Sequence, residues 1–316
     1  MKIAILDRGT LGTDTPLDIL SSLGEIKEFD KTDIEDIPIN AEGADVVIVN
    51  KVKIGKAEME RLPTLKLICV FATGYDGIDV KAAKEKGIAV CNVPAYSTDS
   101  VALYTVSTAL ALYTHLYEYV DFVRSGEYYK AGLANRLIPV YHEISGKTWG
   151  IVGYGNIGKA VARAANALGA KVIVNKRTPE EGVECVDIDT LCRKSDIISV
   201  HCPLNDSSRS LINKERLSFM KRDVVLVNEA RGAVLDEEAV ANAVLEGKIG
   251  AFGCDVYSAE PFSPSHPYEK IKNMKNVLLT PHAAWGAYEA RERCVKVIFD
   301  NITAFFKGEI HNRVEL

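Results

Sequence analysis

The sequence lacks any CxxC pair: its seven cysteines, at 69, 91, 185, 192, 202, 254 and 294, are odd in number and scattered. That excludes a disulfide framework and zinc-finger spacing, gives no metal site, and points to reduced thiols in a cytoplasmic protein. It has no excess of positive charge. Lys+Arg number 38 against 43 Asp+Glu, a net charge of −5, with no basic block. Neither nucleic acid nor an anionic membrane is an expected partner of such a chain. There is no long uninterrupted apolar run either. The most membrane-like stretch, 101–120, carries Ser107, His115 and Glu118 among several Thr and Tyr, and reads as a buried helix. The opening MKIAILDRG breaks its apolar run at Asp7 and Arg8 and has no signal-peptide pattern. Fixed-period repeats and low-complexity segments are missing too. What is present is 316 residues, 47% hydrophobic and 26% charged. That is enough for two domains with ample cores, and too apolar for disorder.

Short apolar runs alternate with helical stretches along the chain. Strands are expected at 2–6, 45–50, 65–71 and 88–90, with helices at 16–23, 56–62 and 80–86. A long helix, capped by Ser97 or Thr98, runs to 120, and 129–145 is irregular. The alternation then restarts. Strands fall at 148–153, 171–175, 197–201, 224–228, 250–255 and 277–280, and helices at 156–168, 214–220, 237–246 and 289–308. Such alternation predicts two parallel α/β units, the second holding a glycine-rich turn.

That turn is Gly153-Tyr154-Gly155-Asn156-Ile157-Gly158, between an apolar strand and a helix. The context is that of a dinucleotide fingerprint. The first glycine permits the tight turn, the second lets the backbone approach a pyrophosphate, and the third lets helix and strand pack closely. The helix start adds free N–H groups and a positive dipole for phosphates. At the end of the next strand, about 20 residues on, a NAD site usually places an acid for the ribose hydroxyls. Lys176 and Arg177 stand there instead. Cations suit a 2′-phosphate, so NADP(H) is expected over NAD(H).

Three polar clusters each follow an apolar strand: Asn228-Glu229-Ala230-Arg231-Gly232, Asp255 to Pro261, and Thr280-Pro281-His282-Ala283-Ala284-Trp285. In open parallel sheets, ligands bind at that edge. Arg, Glu and His there form a plausible acid–base set. Arg grips a carboxylate, His gives a proton to an oxygen becoming an alkoxide, and a neighbouring carboxylate favours the imidazolium.

On these stretches, together with ATGYDGIDVKAAKEKGIAVCNVPAYSTDSVA (72–102) and SDIISVHCPL (195–204), the whole chain resembles the D-isomer-specific 2-hydroxyacid dehydrogenases. Asn50-Lys51-Val52 and 281–285 are most similar to the glycerate dehydrogenase/hydroxypyruvate reductase and glyoxylate reductase branch. The resemblance implies a Rossmann-type NAD(P)-binding domain, 98–287, inserted into a flavodoxin-like substrate domain, 1–97 plus 288–316. The active site then lies in the cleft between them. It implies an oxidoreductase that reduces a small 2-oxo acid to the D-2-hydroxy acid, and a homodimer formed through the cofactor domain. Its catalytic trio falls on Arg231, Glu260 and His282. Substrate contacts fall at Thr73, Gly74 and Tyr75, with Lys51, Arg231, His282 and Trp285. Cofactor contacts fall at Thr73, Gly153, Gly155, Asn156, Ile157, Gly158, Cys202, Pro203, Glu229, Ala230, Arg231, Asp255 and His282. The sequence departs from the pattern at Glu229, which puts a negative charge near Arg231, at Tyr104, at Gly286 and in the missing ribose acid. Two other readings of the same fold stand beside this one. One is a dinucleotide-sensing corepressor; the other is a dehydrogenase for D-lactate, 3-phosphoglycerate or formate.

Overall fold

The computed structural model describes residues 1–316, which form two compact units, Met1–Ser97 with Gly286–Leu316, and Thr98–Trp285. The first begins with β1 (Lys2–Ile5), α1 (Asp18–Ser21), β2 (Glu25–Glu28), α2 (Ile37–Asn40) and β3 (Val46–Val49). It continues with α3 (Lys56–Glu60), β4 (Leu67–Val70), α4 (Val80–Glu85) and β5 (Ala89–Cys91). The five strands are all parallel in the order β2-β1-β3-β4-β5. VVIV of β3 and LICV of β4 are buried throughout, as strands covered on both faces of a parallel sheet must be. β2 is the strand that sequence periodicity does not reveal. EIKE is largely exposed at the sheet edge, so it carries no apolar run.

The second unit opens with α5 (Thr98–Tyr113), α6 (Leu116–Arg124) and α7 (Glu127–Ala131). The single helix expected to run to 120 is therefore two. His115 takes a left-handed conformation, φ 54°, which interrupts the helical ladder, and its Nδ1 faces Glu118 Oε1 at 3.1 Å. The sheet elements follow: β6 (Thr148–Val152), α8 (Asn156–Ala167), β7 (Lys171–Asn175), β8 (Glu184–Cys185), α9 (Ile188–Lys194) and β9 (Ile197–Val200). Then come α10 (Lys214–Phe219), β10 (Val225–Asn228), α11 (Glu237–Leu245), β11 (Ala251–Cys254) and β12 (Val277–Leu279). β8 and α9 escape a periodicity reading because they are short; α9 is marked mainly by its cap, where Asp187 accepts from the Thr190 N–H at 2.8 Å. Asn213 and Asp236 cap α10 and α11 in the same way, each worth about 1 kcal/mol.

All seven strands are parallel in the order β12-β11-β10-β9-β6-β7-β8. The chain enters at β6, works outward to β8, then crosses back to β9. The switch point lies between β6 and β9, where doubly wound sheets bind ligands. Trp149 of β6 is wholly buried, and its indole N–H donates to Ser199 Oγ at 3.0 Å. Left unpaired in this core, that donor would cost about 1–3 kcal/mol. The last helix, α12 (Tyr288–Phe306), belongs to the first unit and packs on α1 and β4. No helix is long and apolar enough to cross a membrane.

Candidate active site

The polar clusters all lie at one edge of the second sheet. The glycine turn follows β6, Lys176 follows β7, Cys202 follows β9, Arg231 follows β10, Asp255 and Glu260 follow β11, and His282 follows β12. Because β10, β11 and β12 are neighbours, the Arg231, Glu260 and His282 loops are neighbours too.

His282 Nδ1 lies 2.6 Å from Glu260 Oε2. An ionised carboxylate only accepts, so Nδ1 carries the proton in this contact. The His282 and Glu260 side chains keep about a quarter of their surface exposed (25% and 27%), reachable by a ligand. Asp255 sets the turn that carries the histidine. Its Oδ1 accepts from Thr280 Oγ1 at 2.6 Å and from the Ala283 N–H at 2.8 Å; its Oδ2 accepts from the Ala284 N–H at 2.8 Å. Asp255 is thus bonded to the histidine turn, a positioning function that the cofactor contact expected of it does not describe. Glu260 is anchored as well, its Oε1 accepting from the Tyr257 N–H at 3.0 Å. Glu237 holds the same loop by accepting from the Ser258 N–H at 2.9 Å. The sequence marks Thr280 only as part of a polar cluster and does not mark Glu237, since a strand-end threonine and a helix-start acid are common everywhere.

Arg231 is fixed through its backbone. Asn228 Nδ2 donates to Arg231 O at 3.0 Å, and Asn228 Oδ1 accepts from the Ala230 N–H at 3.1 Å. Gly232 brings this loop against the Glu260 loop. A Cβ there would lie 2.1 Å from the Tyr257 carbonyl carbon and 2.2 Å from the Ser258 nitrogen.

Glu229 departs from its expected role as a charge beside Arg231. It is 7% exposed and neither carboxyl oxygen has a hydrogen-bond partner. Burial first, and the nearby Asp255 second, push its acid up to about 9, so it is neutral at pH 7. Burial likewise pushes the Tyr104 phenol up, while its hydrogen bond to Thr280 pulls the other way.

The glycine turn fits a dinucleotide. Gly153 has φ +93°, and a Cβ on it would lie 2.5 Å from the Cys202 nitrogen. A Cβ on Gly158 would meet Gly153 O at 2.2 Å, so helix and strand touch there. A Cβ on Gly155 would meet nothing within 4 Å, which leaves open space where a pyrophosphate approaches. Asn156 and Ile157 begin α8 and present its free N–H groups. His201 and Cys202 wall the turn on the other side. Burial pushes the His201 imidazole down to about 3 and the Cys202 thiol up to about 11, so neither is an acid–base group at neutral pH. Lys176 is paired with Glu180, and Arg177 is exposed.

In the first unit, Lys51 and Thr73–Tyr75 also follow strand ends, β3 and β4. The buried Asp7, just after β1, accepts from the backbone N–H groups of Asn50, Lys51 and Val52. Sequence reasoning overlooks this loop anchor. Thr73 donates its hydroxyl to Val93 O at 2.8 Å and accepts at its carbonyl from Asn92 Nδ2 at 2.7 Å.

Comparison with known proteins identifies the family. A family model described as D-isomer specific 2-hydroxyacid dehydrogenase, NAD binding domain, matches residues 106–284. The chain is 36% identical over 315 residues to a glycerate dehydrogenase of Methylorubrum extorquens, covering 99% of each. It is similar to an acyclic imino acid reductase solved with NADPH and D-Arg: TM-score 0.85, 32% identity, 99% of this chain and 100% of that one. It is also similar to D-lactate dehydrogenase of Aquifex aeolicus solved with NAD and lactic acid: TM-score 0.87, 29% identity, 100% and 99%.

Proposed function

The chain belongs to the D-isomer-specific 2-hydroxyacid dehydrogenases, and from that premise we propose that it reduces hydroxypyruvate to D-glycerate, with glyoxylate as a second substrate. That it is an NAD(P)-dependent oxidoreductase interconverting a 2-oxo acid and its D-2-hydroxy acid follows from the family. The choice of substrate rests on the likeness to the glycerate enzyme. The observation that carries the catalytic assignment is the 2.6 Å contact between His282 and Glu260, on the loops beside Arg231.

In this reading His282 delivers a proton from Nε2 to the substrate carbonyl oxygen as it becomes an alkoxide. Glu260 holds the Nδ1–H and fixes the ring's orientation. Arg231 aligns the 2-oxo acid by its planar fork. Lys51, the backbone of Thr73, Gly74 and Tyr75, and Trp285 complete the substrate contacts. The nicotinamide, when bound, supplies the hydride. Gly153, Gly155, Asn156, Ile157 and Gly158 hold the pyrophosphate. Thr73, Cys202, Pro203, Glu229, Ala230, Arg231, Asp255 and His282 flank the rest of the dinucleotide. NADP(H) is preferred, through Lys176 and Arg177. A homodimer through the second unit fits the number of exposed apolar side chains in 116–140, Leu116, Tyr117, Val123, Tyr129, Leu137 and Val140 among them, which a partner's surface would cover. Seven free thiols fit a reducing cytoplasm.

The test is steady-state reduction of hydroxypyruvate, glyoxylate, pyruvate and 3-phosphohydroxypyruvate with NADPH and with NADH. We expect hydroxypyruvate to give the highest kcat/KM, and NADPH to be the better donor. A higher value for pyruvate overturns the substrate assignment. A higher value for NADH overturns the cofactor preference. No turnover with any acid favours the corepressor reading of the fold.

A further inference from the structure

The end of β7 lacks an acid, but one stands a few residues further along the chain. Glu180, 22 residues beyond Gly158, divides its carboxylate between two lysines. Oε1 lies 2.7 Å from Lys159 Nζ, and Oε2 is bonded to Lys176 Nζ. Lys159 comes from the first turn of α8, immediately after the glycines, and Lys176 from the end of β7. Both ammonium groups also stand over the ring of Tyr154, in the glycine turn, at 5.6 and 5.7 Å from its centroid. Two cations, one anion and one aromatic ring therefore meet where a doubly wound sheet receives the adenosine ribose.

We propose that Glu180 is a specificity-determining residue at this position: a resident counter-anion that competes with a 2′-phosphate for Lys176 and Lys159, and so limits how far the site favours NADP(H) over NAD(H). The inference rests on the reading, given above, that the ribose lies beside Lys176. A 2′-phosphate carries between one and two negative charges. To reach the lysines it either displaces the carboxylate from both ion pairs or binds beside it against like-charge repulsion. A free 2′-hydroxyl meets neither obstacle, and can donate to the carboxylate as it would to the usual strand-end acid. Both ammonium groups also lie at cation–π distance from the Tyr154 ring, a weak attraction toward the turn that does not depend on the carboxylate. The lysine charges therefore remain available once the competitor is removed. The Glu180 side chain is 35% exposed, so the effect is moderated by water and weakened by salt.

The test compares the wild type with Glu180→Gln, which keeps the shape and loses the charge. The probes are 2′,5′-ADP and 5′-AMP, titrated by calorimetry, with the Kd values of NADPH and NADH from nucleotide fluorescence. At low salt we expect Glu180→Gln to tighten 2′,5′-ADP about tenfold and to move the NADPH/NADH Kd ratio the same way, the size expected of one partly screened charge. Binding of 5′-AMP should change by less than about twofold, and the gain should shrink at high salt, where the Debye length falls to about 3 Å. Glu180→Ala should act in the same direction. Unchanged 2′,5′-ADP affinity in both variants overturns the proposal, as does an equal gain for 5′-AMP. The two readings separate cleanly. If the wild type binds NADH better yet Glu180→Gln shifts it toward the phosphate, the NADP(H) preference falls and the role of Glu180 stands. If the wild type prefers NADPH and the variants leave the ratio alone, the preference stands and the role of Glu180 falls.

Discussion

His282 holds a left-handed backbone conformation, φ 55°, which few non-glycine residues adopt and which carries a cost when they do. Asp255 offsets that cost with three hydrogen bonds to the turn. Such a turn aims a side chain rather than stabilising a fold, which is why the ring meets Glu260 at 2.6 Å. Removing the proton donor should show in kcat, not in cofactor binding. We expect His282→Ala to lower kcat by about 10²- to 10⁴-fold, with the Kd of NADPH nearly unchanged. Glu260→Gln should keep most of the orientation but lose the charge. The loss should appear as a lower kcat, with the Kd of NADPH little changed, because the proton donor keeps its place but loses its charged partner. An unchanged kcat would disprove the pairing's catalytic role. Both residues are legible in the sequence as polar residues after apolar strands. Their contact is not, because it depends on the lengths of two loops and on a turn set by a third residue.

At the scale of elements, the site is a set of loops locked by close backbone approaches, and glycine decides where these occur. Gly232 lies so near Tyr257 and Ser258 that any Cβ forces backbone to move. We expect Gly232→Ala to push the Arg231 loop from the Glu260 loop, lowering kcat/KM about 100-fold and stability by about 1–3 kcal/mol. Gly155 is the contrasting position, with nothing within 4 Å of an added Cβ. Gly155→Ala should leave Tm unchanged and weaken NADPH binding at least about tenfold, since the methyl group takes the space that the pyrophosphate needs. Thermal melts with and without NADPH read out both. A Gly155→Ala variant that binds normally would remove the turn from the cofactor site. The glycine pattern is visible in the sequence, but which glycines face protein and which face open space is not. Nor does periodicity reveal the edge strand β2, whose EIKE is wetted on nearly every residue, or the interruption at His115 between α5 and α6.

For the whole molecule, the buried Glu229 ties stability to pH. Its acid is raised from 4.5 to about 9, so between those values the folded chain keeps a proton that the unfolded chain releases. The unfolded state then binds fewer protons, and stability falls as pH rises through that window, by at most about 1.4 kcal/mol per pH unit. Glu229→Gln, neutral at every pH, should match the wild type in Tm near pH 4.5 and exceed it increasingly up to pH 9. A pH-independent difference between the two melting curves would show that the carboxyl is ionised or solvated. Much of the architecture is already written in the order of residues. The apolar periods gave two parallel α/β units, and GYGNIG between strand and helix gave the dinucleotide turn. Arginine, glutamate and histidine after three successive strands gave the acid–base set. These follow from local rules, since a buried strand must be apolar and a backbone that approaches a phosphate must be glycine. The state of the charges follows from the folded packing alone. The fold placed Glu229 in the core with neither carboxyl oxygen hydrogen-bonded, where burial raises its acid. It also showed that Lys176, which stands in the sequence as a bare cation at the ribose position, is held with Lys159 by Glu180. Ionisation and pairing depend on the distance to water and to groups remote in the chain. Sequence order fixes neither distance before the sheets have closed.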